Sequence, residues 1–185
     1  IALHGFRLDI AAMPIDFDVD LKKTEGGIGI DGRFGMDGCK VEDLIDRFVR
    51  NIIPATAGIR TDAAISLHGT CSGTIGSGVL PSFDVKMDIP QSNVRHKKLG
   101  HDVLVGLSAS ALTDDDGRVN ASIDKAAVST YGLDLNARVG ISDILGEDPL
   151  VDIMGSIRAS ADSLLTFLPQ DAGITAEGGL AADLN

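Results

Sequence analysis

The stretch GTCSGTIGSG, residues 69–78, has the composition of an anion cradle, because closely spaced glycines leave backbone N–H groups open to a phosphate. It lacks the Lys-Ser/Thr of a P-loop and the Gly-x-Gly-x-x-Gly order, and no helix-like run follows it. Val79, Leu80 and Pro81 lead instead into another alternating run, so the stretch reads as a glycine-kinked strand end or loop. Cys71 within it has no His-Asp companion and reads as a buried or partly buried thiol. DDDG, residues 114–117, lacks both the alternating Asp spacing and the distal Glu of a calcium loop, and reads as a solvated hairpin tip. His4, His68, His96 and His101 are scattered, and no Ser-His-Asp order or carboxylate pair can be named. Cys39 and Cys71 form no Cys-x-x-Cys and have no His at a metal-ligand spacing; they either pair in an oxidising compartment or stay free. No catalytic constellation, metal or cofactor is expected, and nothing supports an enzyme. One cluster stands out. Arg95, His96, Lys97 and Lys98 are a candidate headgroup or partner contact in an otherwise acidic chain, set against the plainer reading of a solvated loop balancing nearby Asp.

Composition narrows the function classes. The net charge is −11, which argues against nucleic acid, where a basic stripe supplies most of the affinity. The acidic residues are spread between apolar ones, as on a solvated outer face. With 185 residues, 22 Gly, no Trp and one Tyr, the chain suits one domain of many short strands. No run of about 18 apolar residues spans a membrane. The chain begins with Ile and shows no signal peptide, which implies a processed or trimmed sequence whose anchor or targeting segment lies elsewhere.

Any site must be positioned by strands, because period-two alternation dominates. In SFDVKMDIP, Phe83, Val85, Met87 and Ile89 share one face, with Asp84, Lys86 and Asp88 on the other. RVNASIDK, GLDLNARVGI, LVDIMGSIRA, IDFDVDL and GIGIDGRFGM repeat the pattern, and TEGG (24–27) and DDDG sit between such runs as hairpin loops. NVRHKKLG (93–100) reads either as a longer hairpin tip or as a polar strand crossing an edge. Two segments change to helical period. KVEDLIDRFVRNII carries a stripe through Val41, Leu44, Ile45, Phe48, Val49, Ile52 and Ile53, stopped by Pro54. SADSLLTFLP is shorter, with Ser160 or Asp162 as N-cap and Pro169 as stop.

The phrases IIPATAGI (52–59) and FLPQDAGI (167–174) lie 115 residues apart at every position. Each ends a helical run with Pro, turns through Ala-Gly and begins a strand; Gly58 and Gly173 permit a left-handed turn. Upstream, IDGRFGM and IMGSIRA share an Ile-x-Gly-x-apolar pattern, with Gly32 and Gly155 in equivalent places. The expected architecture is α+β but mainly β: a curved antiparallel sheet or β-groove with two short amphipathic helices. It is built from a repeated strand-helix-strand unit within one domain, 1–185, with copies at 28–68 and 150–185. The second copy runs off the end, so a longer parent protein is expected.

This organisation resembles the AsmA-like family of Gram-negative envelope proteins, related to the repeating-β-groove lipid-transfer proteins. The likeness rests on GEDPLVDIMGSIRASADSLLTFLPQDAGI (146–174), where a D-P-L-x-x-φ-x-G-x-φ strand (φ, apolar) leads into a Leu-rich helix ending in Leu-Pro. GIDGRFGMDGCKVEDLIDRFVRNIIPATAGI (29–59) repeats the plan, and SFDVKMDIPQSNVRHKKL (82–99) looks like the strand and loop before such a unit. The resemblance implies a periplasmic β-rich body, a parent anchored in the inner membrane, a part in outer-membrane biogenesis, and phospholipid or another lipid as partner, with envelope proteins as further partners.

A lipid groove needs a continuous apolar face with a polar outside, and each methylene covered is worth about 0.8 kcal/mol. The candidate lining is Phe83, Val85, Met87, Ile89, Val103, Val105, Leu107, Leu133, Leu135 and Val139. The competing expectation is a structural or protein-interaction scaffold in which the same residues fill a core. Alternation is identical in both.

Overall fold

A strand that alternates apolar and polar residues presents two unlike faces, and neighbours in register extend each face sideways. The computed structural model describes residues 1–10, 13–49, 58–76, 80–96, 101–162 and 178–184. It is a curved antiparallel sheet of 11 strands. They are β1 (Ala2–Ile10), β2 (Met13–Thr24), β3 (Gly27–Lys40), β4 (Arg60–Thr61), β5 (Ala64–Ile75) and β6 (Ser82–Arg95). After these come β7 (Val103–Thr113), β8 (Val119–Thr130), β9 (Leu133–Ser142), β10 (Leu150–Ser160) and β11 (Gly179–Leu184). Ten of them pair in sequence order, and β4 lies apart, against the far end of β6. The chain is therefore an up-and-down meander, and each strand packs on its hydrogen-bonded neighbours.

One layer of sheet leaves much surface in water. The accessible area is 12422 Å², against about 8,400 Å² for a globular monomer of this mass. Only Met36, Cys39, Ala63, Val119 and Ala159 are buried apolar residues among those described.

Bulges bend the sheet without losing its phase. Register shifts occur between Leu3 and Phe6, Met36 and Cys39, Ile89 and Ser92, Ser108 and Ala109, and Ile123 and Ala126. At the β6 bulge Pro90 has no N–H to give the ladder. The neighbouring backbone is satisfied locally: Ser92 Oγ donates to Pro90 O at 2.7 Å, Asn93 N to Asp62 Oδ1 at 2.7 Å, and Thr61 Oγ1 to Asn93 O at 2.7 Å.

The first helical stripe begins as expected at Val41, and its regular α geometry is short. An α-helix, α1, covers only Val41–Leu44 and passes into a π-turn over Ile45–Val49. Lys40 precedes it without a side-chain cap, and Glu42, which would suit the dipole, is drawn to Arg60 at 2.8 Å and to the Thr61 N–H at 3.4 Å. Arg50 to Ala57 lie outside the described residues, as does the second helical run after Asp162 with Pro169, Gly173 and Ile174. Gly58 takes φ 94°, the left-handed turn its place in the repeat required. TEGG and DDDG are turns, as expected. The GTCSGTIGSG stretch is chiefly strand: β5 runs on to Ile75, with Gly73 at φ 139° and Gly76 at φ 106°.

The β2–β3 turn supplies a test. Gly27 has φ 145°, and a Cβ there would meet the Ile75 carbonyl oxygen, whereas Gly26 faces open space. Gly27→Ala is expected to cost about 1–3 kcal/mol, lowering the thermal midpoint by about 2–4 °C per kcal/mol, while Gly26→Ala stays within about 0.5 kcal/mol. Thermal unfolding followed by circular dichroism reads both.

Candidate functional site: the apolar face of the sheet

Cross-strand partners share a face, so the register identifies the site residue by residue. Phe6 faces Phe17, Phe17 faces Phe34, Phe34 faces Gly69, and Gly69 faces Val85. The same row continues through Ala111, Ala121, Ile141 and Val151, and so crosses from β1 to β10 without a polar side chain. A parallel row runs Met36, Leu67, Met87, Ala109, Ile123, Val139, Ile153. Beside these lie the pairs Ile89–Leu107, Val105–Val128, Val128–Leu135, Leu135–Ile157 and Ile157–Ala182.

All ten candidate lining residues fall on this face. Phe83, Val85, Met87 and Ile89 line it from β6, each less exposed than Asp84, Lys86 and Asp88 between them. Val103, Val105 and Leu107 line it from β7, opposite Val94, Ser92 and Ile89. Leu133, Leu135 and Val139 line it from β9. None is fully buried: Leu135 is 36% exposed, and on the next strand Val151 is 58% and Ile153 47% exposed.

The face is wider than the lining foreseen from sequence. At one end the rings of Phe6, Phe17 and Phe34 stand side by side, with centroids 6.5 and 6.4 Å apart. Gly69 is where the Phe34 ring rests, since a Cβ there would lie 2.5 Å from its Cζ. The signal was present as Ile65, Leu67, Gly69, Cys71, Gly73 and Ile75 at strict period two, masked because glycine carries no apolar side chain. Cys71 lies on this face between Gly32 and Phe83, and Cys39 is opposite Ile65. Both cysteines are free, and burial, then the Asp43 carboxylate, push the Cys39 thiol up from its ordinary value.

The opposite face pairs its own charges. Arg33 donates from Nε and Nη2 to Asp18 Oδ2 at 2.9 and 2.7 Å, while the Gly5 N–H donates to Asp18 Oδ1 at 2.7 Å. His68 and Asp37 are 2.9 Å apart, and Ser110 and Ser122 hydroxyls meet at 2.8 Å beside Asp124. A shallow depression of about 640 Å³ opens on this side, lined by His4, Asp18, Asp20 and Arg33 among others. Among the described residues no three His, Cys, Asp or Glu side chains converge as a metal site, and no helix is long and apolar enough to cross a membrane.

Of the basic cluster, Arg95 and His96 are described, at the end of β6 where Arg60 of β4 pairs with Arg95. Arg95 is held by Asp102 through two hydrogen bonds, Nε to Oδ1 at 2.9 Å and Nη2 to Oδ2 at 2.8 Å, which raise its pKa. His96 is half-buried, and Lys97 and Lys98 lie outside the described residues. Nearby, His101 stacks on Tyr131 at 5.3 Å.

On the other rim Asp114 closes the β7–β8 hairpin, accepting from the Asp116 and Arg118 N–H groups at 3.0 and 2.9 Å and from Asn120 Nδ2 at 3.0 Å. The Arg118 N–H, then the Asn120 amide, hold its carboxyl below the ordinary value. A depressed folded pKa stabilises the fold above the unfolded value of about 3.9, and the effect is lost as pH falls through the folded one. Asp114→Ala is therefore expected to lower the thermal midpoint at neutral pH, with the gap to wild type closing below about pH 4. A pH series of melting curves reads this.

Compared with known proteins, the chain matches no family model, no curated protein and no solved structure.

Proposed function

We propose that the chain is a non-enzymatic, periplasmic module of a Gram-negative envelope protein, AsmA-like in kind, which holds phospholipid acyl chains along the apolar face of its sheet. The parent is read as anchored in the inner membrane and serving outer-membrane biogenesis. The observation that carries this reading is a sheet one layer thick among the described residues: apolar rows cross it from β1 to β10, and its residues stay partly open to solvent. Contiguous exposed apolar surface on this scale marks a binding site. Nine strand spacings of about 4.8 Å make the face roughly 43 Å across, against a bilayer core of about 30 Å for two leaflets of tails. Acyl chains would lie across several strands at once, each methylene gaining about 0.8 kcal/mol.

The repeated unit fits the same reading. In the 28–68 copy Lys40 pairs with Ala64, and the Val41 N–H donates to Ala63 O at 3.0 Å. In the 150–185 copy Ser160 pairs with Gly179, and the Ala161 N–H donates to Gly178 O at 2.9 Å. The 115-residue spacing of the Pro phrases carries Ala63 and Ala64 onto Gly178 and Gly179. Upstream, pairing aligns Phe34 with Gly155, two residues from the sequence match of Gly32 with Gly155. In both copies, on this reading, a strand is met by a later strand returning antiparallel against it.

The alternative, a scaffold with a filled core, needs a second layer over this face. Leu135, flanked by Val128 and Ile157 within the sheet, is 36% exposed and has no such cover among the described residues.

Purification from a Gram-negative host, solvent extraction and native mass spectrometry test the proposal. Phospholipid is expected to co-purify, and Val85→Asp or Val105→Asp to reduce it about tenfold or more, equivalent to at least about 1.4 kcal/mol. Lys86→Asp, on the other face of the same strand, is expected to leave it unchanged. A protein that neither carries nor takes up lipid contradicts the reading, and so does equal loss in all three folded variants.

A further inference from the structure

Where β6 and β8 end and β7 and β9 begin, the rim of the sheet carries a fixed aromatic pair. Tyr131, the one Tyr of the chain, stands at the β8–β9 turn and is 60% exposed. The exposed His101 ring lies nearly parallel to it, at 5.3 Å and 16°. Hydrogen bonds on both sides brace this ledge. Arg95 at the end of β6 holds both carboxylate oxygens of Asp102, next to His101, and Thr130 Oγ1, next to Tyr131, donates to Asp102 O at 3.0 Å. Beyond Tyr131, Gly132 at φ 71° accepts from the Ser160 N–H at 2.9 Å. The apolar face runs up to the ledge, ending in the pairs Val94–Val103 and Thr130–Leu133.

Charge distinguishes the two ends of these strands. At the far end, the β7–β8 and β9–β10 turns carry Asp114, Asp115, Asp116, Asp143, Glu147 and Asp148 against one cation, Arg118. At the ledge, the one carboxylate among the described residues of the β6–β7 and β8–β9 turns is Asp102, and Arg95 neutralises it.

We propose, on the reading of the apolar face as lipid-binding, that the His101–Tyr131 ledge seats this rim on a bilayer surface at headgroup level, where lipid passes over it onto the face. A Tyr ring has an apolar body and a hydroxyl that favours water, which suits it to the boundary between acyl chains and headgroups. Stacking on His101 holds the ring in place beforehand, so little side-chain freedom is lost on contact. Anionic headgroups repel the acidic turns at the far end, which leaves the ledge as the end that meets the bilayer. Arg95 acts here as a brace, its charge met by Asp102.

Vesicles of phosphatidylethanolamine and phosphatidylglycerol, mixed with the intact chain, test the contact. With one Tyr and no Trp in the chain, tyrosine emission reports Tyr131 alone. Vesicles carrying a nitroxide at the headgroup are expected to quench it, in wild type and equally in Val85→Asp, which holds lipid poorly on the face. Flotation with the vesicles is expected to weaken about fivefold or more in Tyr131→Ser. It is expected to stay unchanged in Leu145→Ser, which alters a 68% exposed apolar side chain at the far end. Emission untouched by the nitroxide, no flotation, or equal flotation of wild type and Tyr131→Ser each overturns the proposal. So does quenching lost in Val85→Asp, because the nitroxide then reaches Tyr131 from lipid on the face and not from a bilayer. If Tyr131→Ser fails to fold, quenching in Val85→Asp decides. The two readings fail separately: flotation through Tyr131 without any co-purifying lipid upholds the ledge and contradicts the lipid-holding face.

Discussion

The structure depends on one mismatch: among the described residues, a sheet whose two faces differ in polarity is one layer thick. The polar face closes its own accounts through pairs such as Asp18 with Arg33 and His68 with Asp37. The apolar face has nothing comparable, because apolar side chains gain mainly by leaving water, at about 25 cal/mol per Å². Neighbouring side chains cover each other in part, which is why β6 reads as half-buried and exposed in alternation. Among the described residues nothing covers the remainder, and that openness links the fold to its proposed role.

Keeping such a face continuous over ten strands demands strict phase, since a slip of one residue would turn apolar rows to the polar side. The bulges solve this while allowing curvature. Between Ile89 and Ser92 the apolar phase of β6 passes from odd to even positions, so that Ser92 and Val94 meet Val105 and Val103. A comparable step at Asp124 moves the phase of β8 from Ile123 to Ala126. Glycine makes room where a ring must lie across a neighbour, as Gly69 does for Phe34. Right-handed strand twist, about 20° per neighbour, then accumulates across the sheet.

The strands with bulky alternation were legible in the sequence, and β6 and β9 placed all their nominated residues on one face. β5 was obscured because glycine at positions 69 and 73 removes the apolar signal while leaving the period intact. β11 was expected only as the strand returning after FLPQDAGI, because Gly-Leu-Ala-Ala-Asp-Leu is short and small and its extent is set by pairing to Gly155–Ser160. The helical stripe from Val41 located the helix, but periodicity could not show its change from α geometry at Val41–Leu44 to π geometry at Ile45–Val49, nor its uncapped start. Alternation also has the same form over a filled core and an open face; which of the two obtains is decided by what lies opposite, a tertiary fact.

The most direct measurement of the central claim is photo-crosslinking with a phospholipid carrying a diazirine in its acyl chain, mapped by mass spectrometry. The account predicts adducts at every second residue on the apolar face, at Phe17, Val85, Met87, Ala109 and Val139, and few at Asp84, Lys86 or Arg138 between them. Labelling spread evenly over both faces, or confined to the loops, would contradict it.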